Sequence, residues 1–143
     1  MKVLIDTSIL FPALTTAHPE HISRLRLLDR IRKEGEVVIL NTHLATELYS
    51  NLTRYPPHRI HPLIVVEKIR ELSQLFTVID LTFTDYLAAL DRCAAKELIS
   101  GVVFDALHLQ AALKAEASVI YTANVKDFIR LLDDDISLEI RSS

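Results

Sequence analysis

Apolar residues return along the chain in two rhythms, one of short unbroken runs and one of longer stretches with an apolar residue every third or fourth position. The first is that of a strand buried on both faces, the second that of a helix with one face in a core. Val3-Leu4-Ile5 ends in Asp6 and Thr7-Ser8 and reads as a buried strand passing into a helix cap. Ile22, Leu25, Leu28 and Ile31 predict a helix from about Glu20 to Lys33, stopped by Gly35. Val37–Leu40 predicts a second strand. Asn41 or Thr42 then caps a helix carrying Leu44, Leu48 and Leu52, which ends before Pro56-Pro57. Pro62–Leu75 predicts a helix with its proline tolerated in the first turn, and Phe76–Ile79 a strand. A helix capped by Thr82 or Thr84 runs to about Leu98. After Gly101, Val102-Val103-Phe104-Asp105 leads into Ala106–Ala117, a strongly helix-forming stretch. Val119–Tyr121 is a strand with Thr122 at its tip, followed by a short helix from about Lys126 and a last strand near Leu138–Ile140.

Strands that alternate with helices predict a three-layer α/β/α fold around a mostly parallel sheet, because parallel strands need crossover connections and these are right-handed. Ligands in such folds sit beyond the carboxyl ends of the strands. Asp6 and Asn124 fall just past predicted strands, and Glu47 and Asp105 in early helical turns, so all four are expected to point toward one cleft. The length of 143 residues suits a single domain over 1–143, and two glycines and five prolines leave little room for flexible linkers.

Composition changes this picture in two places. A net charge of −3 is awkward for a protein that handles phosphate backbones, whose binding comes mainly from Lys and Arg. The basic residues are clustered, however: Arg24, Arg26, Arg30, Arg32 and Lys33 crowd one segment, and Arg54 and Arg59 follow Glu47, while Asp133-Asp134-Asp135 gathers acids elsewhere. A local basic rim is compatible with that distribution, as are ordinary solvated helix faces. The lone Cys93 sits in the helical pattern of Leu87, Leu90, Ala94 and Leu98 and reads as a core filler. The run Val3-Leu4-Ile5 is too short for a signal peptide or a membrane span, so a cytoplasmic protein is expected.

Four segments carry the chemistry: Leu4-Ile5-Asp6-Thr7-Ser8-Ile9-Leu10, Thr42-His43-Leu44-Ala45-Thr46-Glu47-Leu48, Val103-Phe104-Asp105-Ala106-Leu107-His108-Leu109-Gln110-Ala111-Ala112, and Tyr121-Thr122-Ala123-Asn124-Val125-Lys126-Asp127-Phe128. Each alone is a weak motif. Together, in this order and spanning nearly the whole chain, they resemble the PIN-domain family, which includes the VapC-type toxins of prokaryotic toxin–antitoxin pairs. The resemblance implies a metal-dependent endoribonuclease. Asp6, Glu47 and Asp105 would bind magnesium or manganese, and Ser8 and Thr122 would support them by hydrogen bonds. Family members often carry an acid where this chain has Asn124, which adds no charge and puts a second metal in question unless Asp127 turns inward. The resemblance further implies an RNA substrate cut to 5′-phosphate and 3′-hydroxyl ends, a homodimer, and an antitoxin protein that covers the cleft. Elementary electrostatics agrees with a cation: two carboxylates about 5 Å apart repel by roughly 3 kcal/mol at an effective dielectric of 20. Three converging acids therefore hold either protons or a metal ion.

Plainer readings compete. Asp6 and Asp105 can each be helix N-caps. Glu47, between Leu44 and Leu48, can be satisfied by an ion pair with Arg54. The pairs His18/His21 and His58/His61 have zinc-compatible spacing, but each lies beside prolines. His108, one turn after Asp105, can lean toward the site or serve as a structural hydrogen-bonder. Tyr49, Tyr55 and Phe128 are candidates to stack on bases, although helix packing is the favoured role for Phe128. At the level of function, the competitors are an RNA-processing PIN nuclease without an antitoxin and a non-catalytic RNA-binding module of the same fold. An aspartyl-phosphate phosphotransferase ranks below both, because Ser8 stands where it would need a second acid.

Overall fold

In the computed structural model, which describes residues 1–55 and 59–143, strands and helices alternate in the predicted order. They are β1 (Lys2–Ile5), α1 (Thr7–Ala13), α2 (His21–Lys33), β2 (Val37–Asn41), α3 (His43–Arg54), α4 (Pro62–Leu75), β3 (Thr77–Ile79), α5 (Phe83–Ala95), α6 (Val102–Lys114), β4 (Val119–Tyr121), α7 (Val125–Leu131) and β5 (Glu139–Arg141). The strands form one sheet in the order β3-β2-β1-β4-β5, with every neighbouring pair parallel.

Alternation within the strands divides the core in two. Val3 and Ile5, Val38 and Leu40, and Val119 and Tyr121 pack with α1 to α4. Leu4, Ile39 and Ile120, one residue out of step, pack with α5 to α7. This is the period of two that a strand buried on both faces must show, and it explains why these strands read as unbroken apolar runs. The result is the expected three-layer α/β/α arrangement.

The elements depart from expectation mainly at helix ends. α5 stops at Ala95 and α6 at Lys114, short of the predicted Leu98 and Ala117. In both, a glutamate takes a left-handed backbone, Glu97 at φ 53° and Glu116 at φ 57°. The next amide then turns back on the helix, Leu98 N–H to the Cys93 carbonyl and Ala117 N–H to the Ala112 carbonyl, each at 2.9 Å. Gly35, at φ 73°, closes α2 in the same manner. Only that end carried the glycine by which such a cap is read from sequence. Asp105 lies in the first turn of α6, which begins at Val102 rather than Ala106.

Candidate active site

The sheet places three polar side chains in a row at its C-terminal edge. Ile5, Leu40 and Tyr121 face α1 to α4, so the residues that follow them, Asp6, Asn41 and Thr122, turn to the opposite face, where α6 lies. All three are buried, with 1%, 1% and 0% of their surface exposed. The pairing of Ile5 with Tyr121 sets Asp6 beside Thr122.

Asp6 does not use its carboxylate as a helix cap. Its backbone carbonyl receives Ile9 N–H and Leu10 N–H at 3.2 and 3.3 Å, but its side chain makes no capping bond. Instead Ser8 Oγ donates to Oδ1 at 2.5 Å and Thr122 Oγ1 to Oδ2 at 2.6 Å. Both hydroxyls in turn accept a backbone hydrogen, from Ala123 N–H at 2.8 Å and Asn124 N–H at 2.9 Å. Their own hydrogens are thereby directed at Asp6, an arrangement made for an ionised carboxylate. Burial nevertheless raises the Asp6 pKa above the ordinary carboxylate range, against the offsetting His108 and the two hydroxyls.

Asp105, on the face of α6 turned to this edge, has its pKa pushed up to about 7 by burial first and by the charge of Asp6 next, with Asp127 and Glu47 adding to the effect. His108, one turn along α6, is 1% exposed. Its Nδ1 lies 2.7 Å from Asn41 Nδ2, while Asn41 Oδ1 accepts Leu44 N–H at 3.0 Å. With the Asn41 oxygen committed to α3, its amide nitrogen faces His108 as a donor, which assigns the hydrogen of the neutral ring to Nε2. Against burial, which lowers it, Glu47, Asp6 and Asp105 raise the ring's pKa. Nε2 lies 3.3 Å from Glu47 Oε1 and 3.4 Å from Thr7 Oγ1. Glu47, on α3, is therefore drawn toward α6 and not to Arg54; its other near partner is His43, at 3.9 Å.

The donor set fits a hard divalent cation. It consists of carboxylate oxygens without a thiolate, which suits magnesium or manganese over zinc. Glu47 Oε1 is buried and has no well-aligned hydrogen-bond partner among the described residues. Asp105 carries the charge repulsion that a cation relieves. Among the described residues no three acids, histidines or cysteines stand close enough to ligate one ion together as they are placed. Magnesium characteristically takes one or two carboxylates and completes its shell with water and substrate phosphate.

The remaining candidates are placed differently. Asn124 is exposed at the start of α7, and its amide side chain makes no cap bond. Asp127 is turned to Arg130, 2.7 Å away, although its charge reaches Asp105. The basic cluster on α2 is spread along that helix: Arg24 donates to the Ser142 carbonyl at 2.7 Å, past the C-terminal end of β5. Arg32 lines a groove with Val37, Val38 and Thr77, at the N-terminal ends of β2 and β3, because α2 runs back against the strands. His18 Nδ1 accepts Glu20 N–H and His21 Nδ1 lies 3.0 Å from the Pro12 carbonyl, so that pair is engaged locally. His61 caps α4, and its companion His58 lies outside the described residues. Phe128 is wholly buried, and Tyr55 packs edge-on against Phe11. Sequence reasoning assigned Asn41 only the capping role that its bond to Leu44 N–H fulfils, and passed over His43 and Phe104. Asn41 carried a signal, since strand alternation puts it on the same face as Asp6.

Comparison with known proteins agrees with this fold. The family model described as PIN domain matches residues 3–132. The chain belongs to the PIN-domain family. This PIN domain is 34% identical over 103 residues to Ribonuclease VapC40 of Mycobacterium tuberculosis, covering 71% of this chain and 72% of that protein. Its fold is shared with the solved structure of Mycobacterium tuberculosis VapC20, a sarcin-ricin loop cleaving toxin (TM-score 0.68, 20% identity, 93% of this chain and 91% of the other). It is shared likewise with VapBC2 of Rickettsia felis bound to a promoter DNA fragment (TM-score 0.69, 20% identity, 99% and 98%). Among the described residues no helix of this PIN domain is long and apolar enough to cross a membrane.

Proposed function

We propose that the protein is a metal-dependent endoribonuclease, acting as the toxin of a toxin–antitoxin pair, with Asp6, Glu47 and Asp105 as the metal-binding acids. The observation that carries this reading is the state of Asp6. A buried carboxylate at the end of the central strand leaves its helix uncapped and is held by Ser8 and Thr122 beside Asp105. A merely structural aspartate at a helix start would cap it.

Magnesium or manganese bound there would lower the pKa of water and offset charge on the leaving oxygen. The protein's own residues set the stage for that chemistry. Ser8 and Thr122 keep both Asp6 oxygens oriented, each with a lone pair to spare. His108 Nε2–H faces Glu47 Oε1 and restrains that side chain. Asp105, poised near neutrality, releases a proton when a cation arrives. Asn124 and Asp127, at the rim, are placed to meet water or substrate rather than to complete the inner shell. An RNA that is single-stranded or looped is the fitting substrate, since an unpaired backbone can bend into a shallow cleft.

The similarity to a VapC ribonuclease and to VapBC structures supports an antitoxin partner. Exposed Leu63, Ile64 and Val66 on α4 and Leu87 and Leu90 on α5 provide apolar surface for that partner and for a homodimer. A cytoplasmic location and a single domain over the whole chain complete the reading. One alternative has an observation in its favour: Asn124 supplies no charge, which suits a non-catalytic RNA-binding module. Incubation of the purified protein with mixed RNA and manganese, with and without chelator, decides between them. Fragments with 5′-phosphate and 3′-hydroxyl ends that disappear on chelation support the nuclease. RNA bound but left intact supports the module.

A further inference from the structure

Beside the acids, a groove of about 370 Å³ runs along α3, lined by His43, Thr46, Glu47, Ser50, Asn51 and Phe104. Residues 43, 46, 47 and 50 share one helical face. From His43 to Asn51 that face is about 12 Å long at 1.5 Å per residue. One end is walled by two parallel rings: His43 and Phe104 stack with centroids 5.2 Å apart and an angle of 8° between their planes. Tyr86 meets His43 edge-on at 6.4 Å, so the pair is held from behind. Phe104 nonetheless stays 44% exposed, a large aromatic surface left open to solvent at the mouth of the groove. The polar members along its floor, Thr46, Ser50 and Asn51, offer hydrogen-bonding groups.

We propose that this groove is a nucleobase subsite, in which an unpaired base of the RNA substrate stacks on Phe104 while its edge meets the polar side chains of α3. The inference rests on the nuclease reading and names the substrate contact nearest to its acids. Two features of the chain favour a base as the occupant. Each ring is tied to an acid by the covalent frame: Phe104 directly precedes Asp105, and His43 lies one turn before Glu47 on the same helix. A base stacked here would lie beside Glu47, the acid that lines the groove, and bring its own phosphate toward that carboxylate. Moreover, Glu47 lines the groove while its Oε1 lies 3.3 Å from Nε2 of His108, which stands one turn from Asp105 on α6. A stacking platform accepts every base through its π-face, and the polar floor of α3 then supplies discrimination by edge.

The chain contains no tryptophan, so Phe104→Trp introduces a single fluorescent reporter at the platform. In the cleavage-blocked Asp6→Asn background, a short single-stranded RNA of mixed sequence should quench that fluorescence. A control tryptophan at exposed Leu75, which lies at the far edge of the sheet before β3, should be unaffected. In the otherwise unaltered protein, Phe104→Leu keeps apolar packing but removes the aromatic face. It should raise KM for RNA cleavage roughly five- to a hundredfold, the range expected for loss of one base–aromatic stack, with kcat changed less and with Phe104→Trp restoring KM. RNA cleaved by Phe104→Leu with unchanged KM, together with no quenching at position 104, overturns the subsite and leaves the nuclease standing. A protein that neither binds nor cuts RNA overturns both.

Discussion

Thr122 Oγ1 donates a 2.6 Å hydrogen bond to Asp6 Oδ2 across the junction of β1 and β4, and the same oxygen accepts the Asn124 backbone N–H at 2.9 Å. One hydroxyl thus orients a candidate metal ligand and pins the loop that carries Asn124. Thr122→Val keeps the shape and removes both bonds. Supporting bonds of this kind typically govern about 10- to 100-fold in metal affinity or activity. Cleavage at limiting manganese should fall by about that factor, with a stability loss of about 1–2 kcal/mol in denaturant unfolding. Thr122→Ser should retain most of the activity.

Asp105 gives the protein a pH signature. Its pKa is raised to about 7 in the folded chain from about 3.9 in the unfolded one. The unfolded state therefore releases its proton first, and the folded state loses stability as pH climbs from about 4 through 7. Thermal melting of the metal-free protein should show a Tm that declines between pH 5.5 and 8 from this group. Manganese should restore it most at the upper end, where binding no longer has to displace a proton.

Asn41 and His108 make a prediction about a tautomer. With Asn41 Nδ2 donating to Nδ1, nitrogen NMR of the labelled ring should find a bare Nδ1 and a hydrogen on Nε2. Asn41→Asp preserves the acceptor for Leu44 N–H but replaces the donor by a second acceptor. The hydrogen should then move to Nδ1 or the ring should become charged. If it moves, Glu47 Oε1 faces a bare nitrogen and loses its donor, and cleavage should drop while the fold persists; a charged ring instead keeps its Nε2–H on Glu47 and shows both ring nitrogens protonated.

Thr82 and Asp85 form a reciprocal cap on α5, Thr82 Oγ1 accepting Asp85 N–H and Asp85 Oδ2 accepting Thr82 N–H. Asp85 also reaches α6 through Lys114 at 2.7 Å and Gln110 at 3.2 Å. Lys114 first, and the cap next, hold the Asp85 carboxyl well below the usual range. Its contribution is therefore present above about pH 4 and lost as the carboxyl protonates at lower pH. Asp85→Ala should cost about 1–2 kcal/mol at neutral pH, measured by urea unfolding, and much less near pH 2.

The fold was legible because the inner strands β1, β2 and β4 are short apolar runs and most helices keep their period, so local pattern and tertiary role coincide there; the edge strands Thr77–Ile79 and Glu139–Arg141 carry the weaker pattern. Asp6 and Thr122 were visible from their places after β1 and β4, and Asp105 from its place early in α6. The partners of these acids were harder to read. His108 faces Asn41 because β2 ends one residue past Leu40, and Glu47 turns to α6 instead of Arg54 because His108 Nε2 lies 3.3 Å from its Oε1. Those are facts of packing between distant segments. Aromatic roles divide in the same way: Phe128, favoured for packing by its helical place, fills the core, whereas Phe104, which the sequence does not single out, faces solvent.

On the proposed reading, Asp105 is kept in a destabilising place because it serves a cation and a reaction. Asp105→Asn tests it most directly, by single-turnover RNA cleavage in manganese beside the Tm of the metal-free protein at pH 8. Removing the buried charge should raise Tm and abolish cleavage by at least about 100-fold. A variant that melts lower and cuts RNA at the wild-type rate would contradict the account.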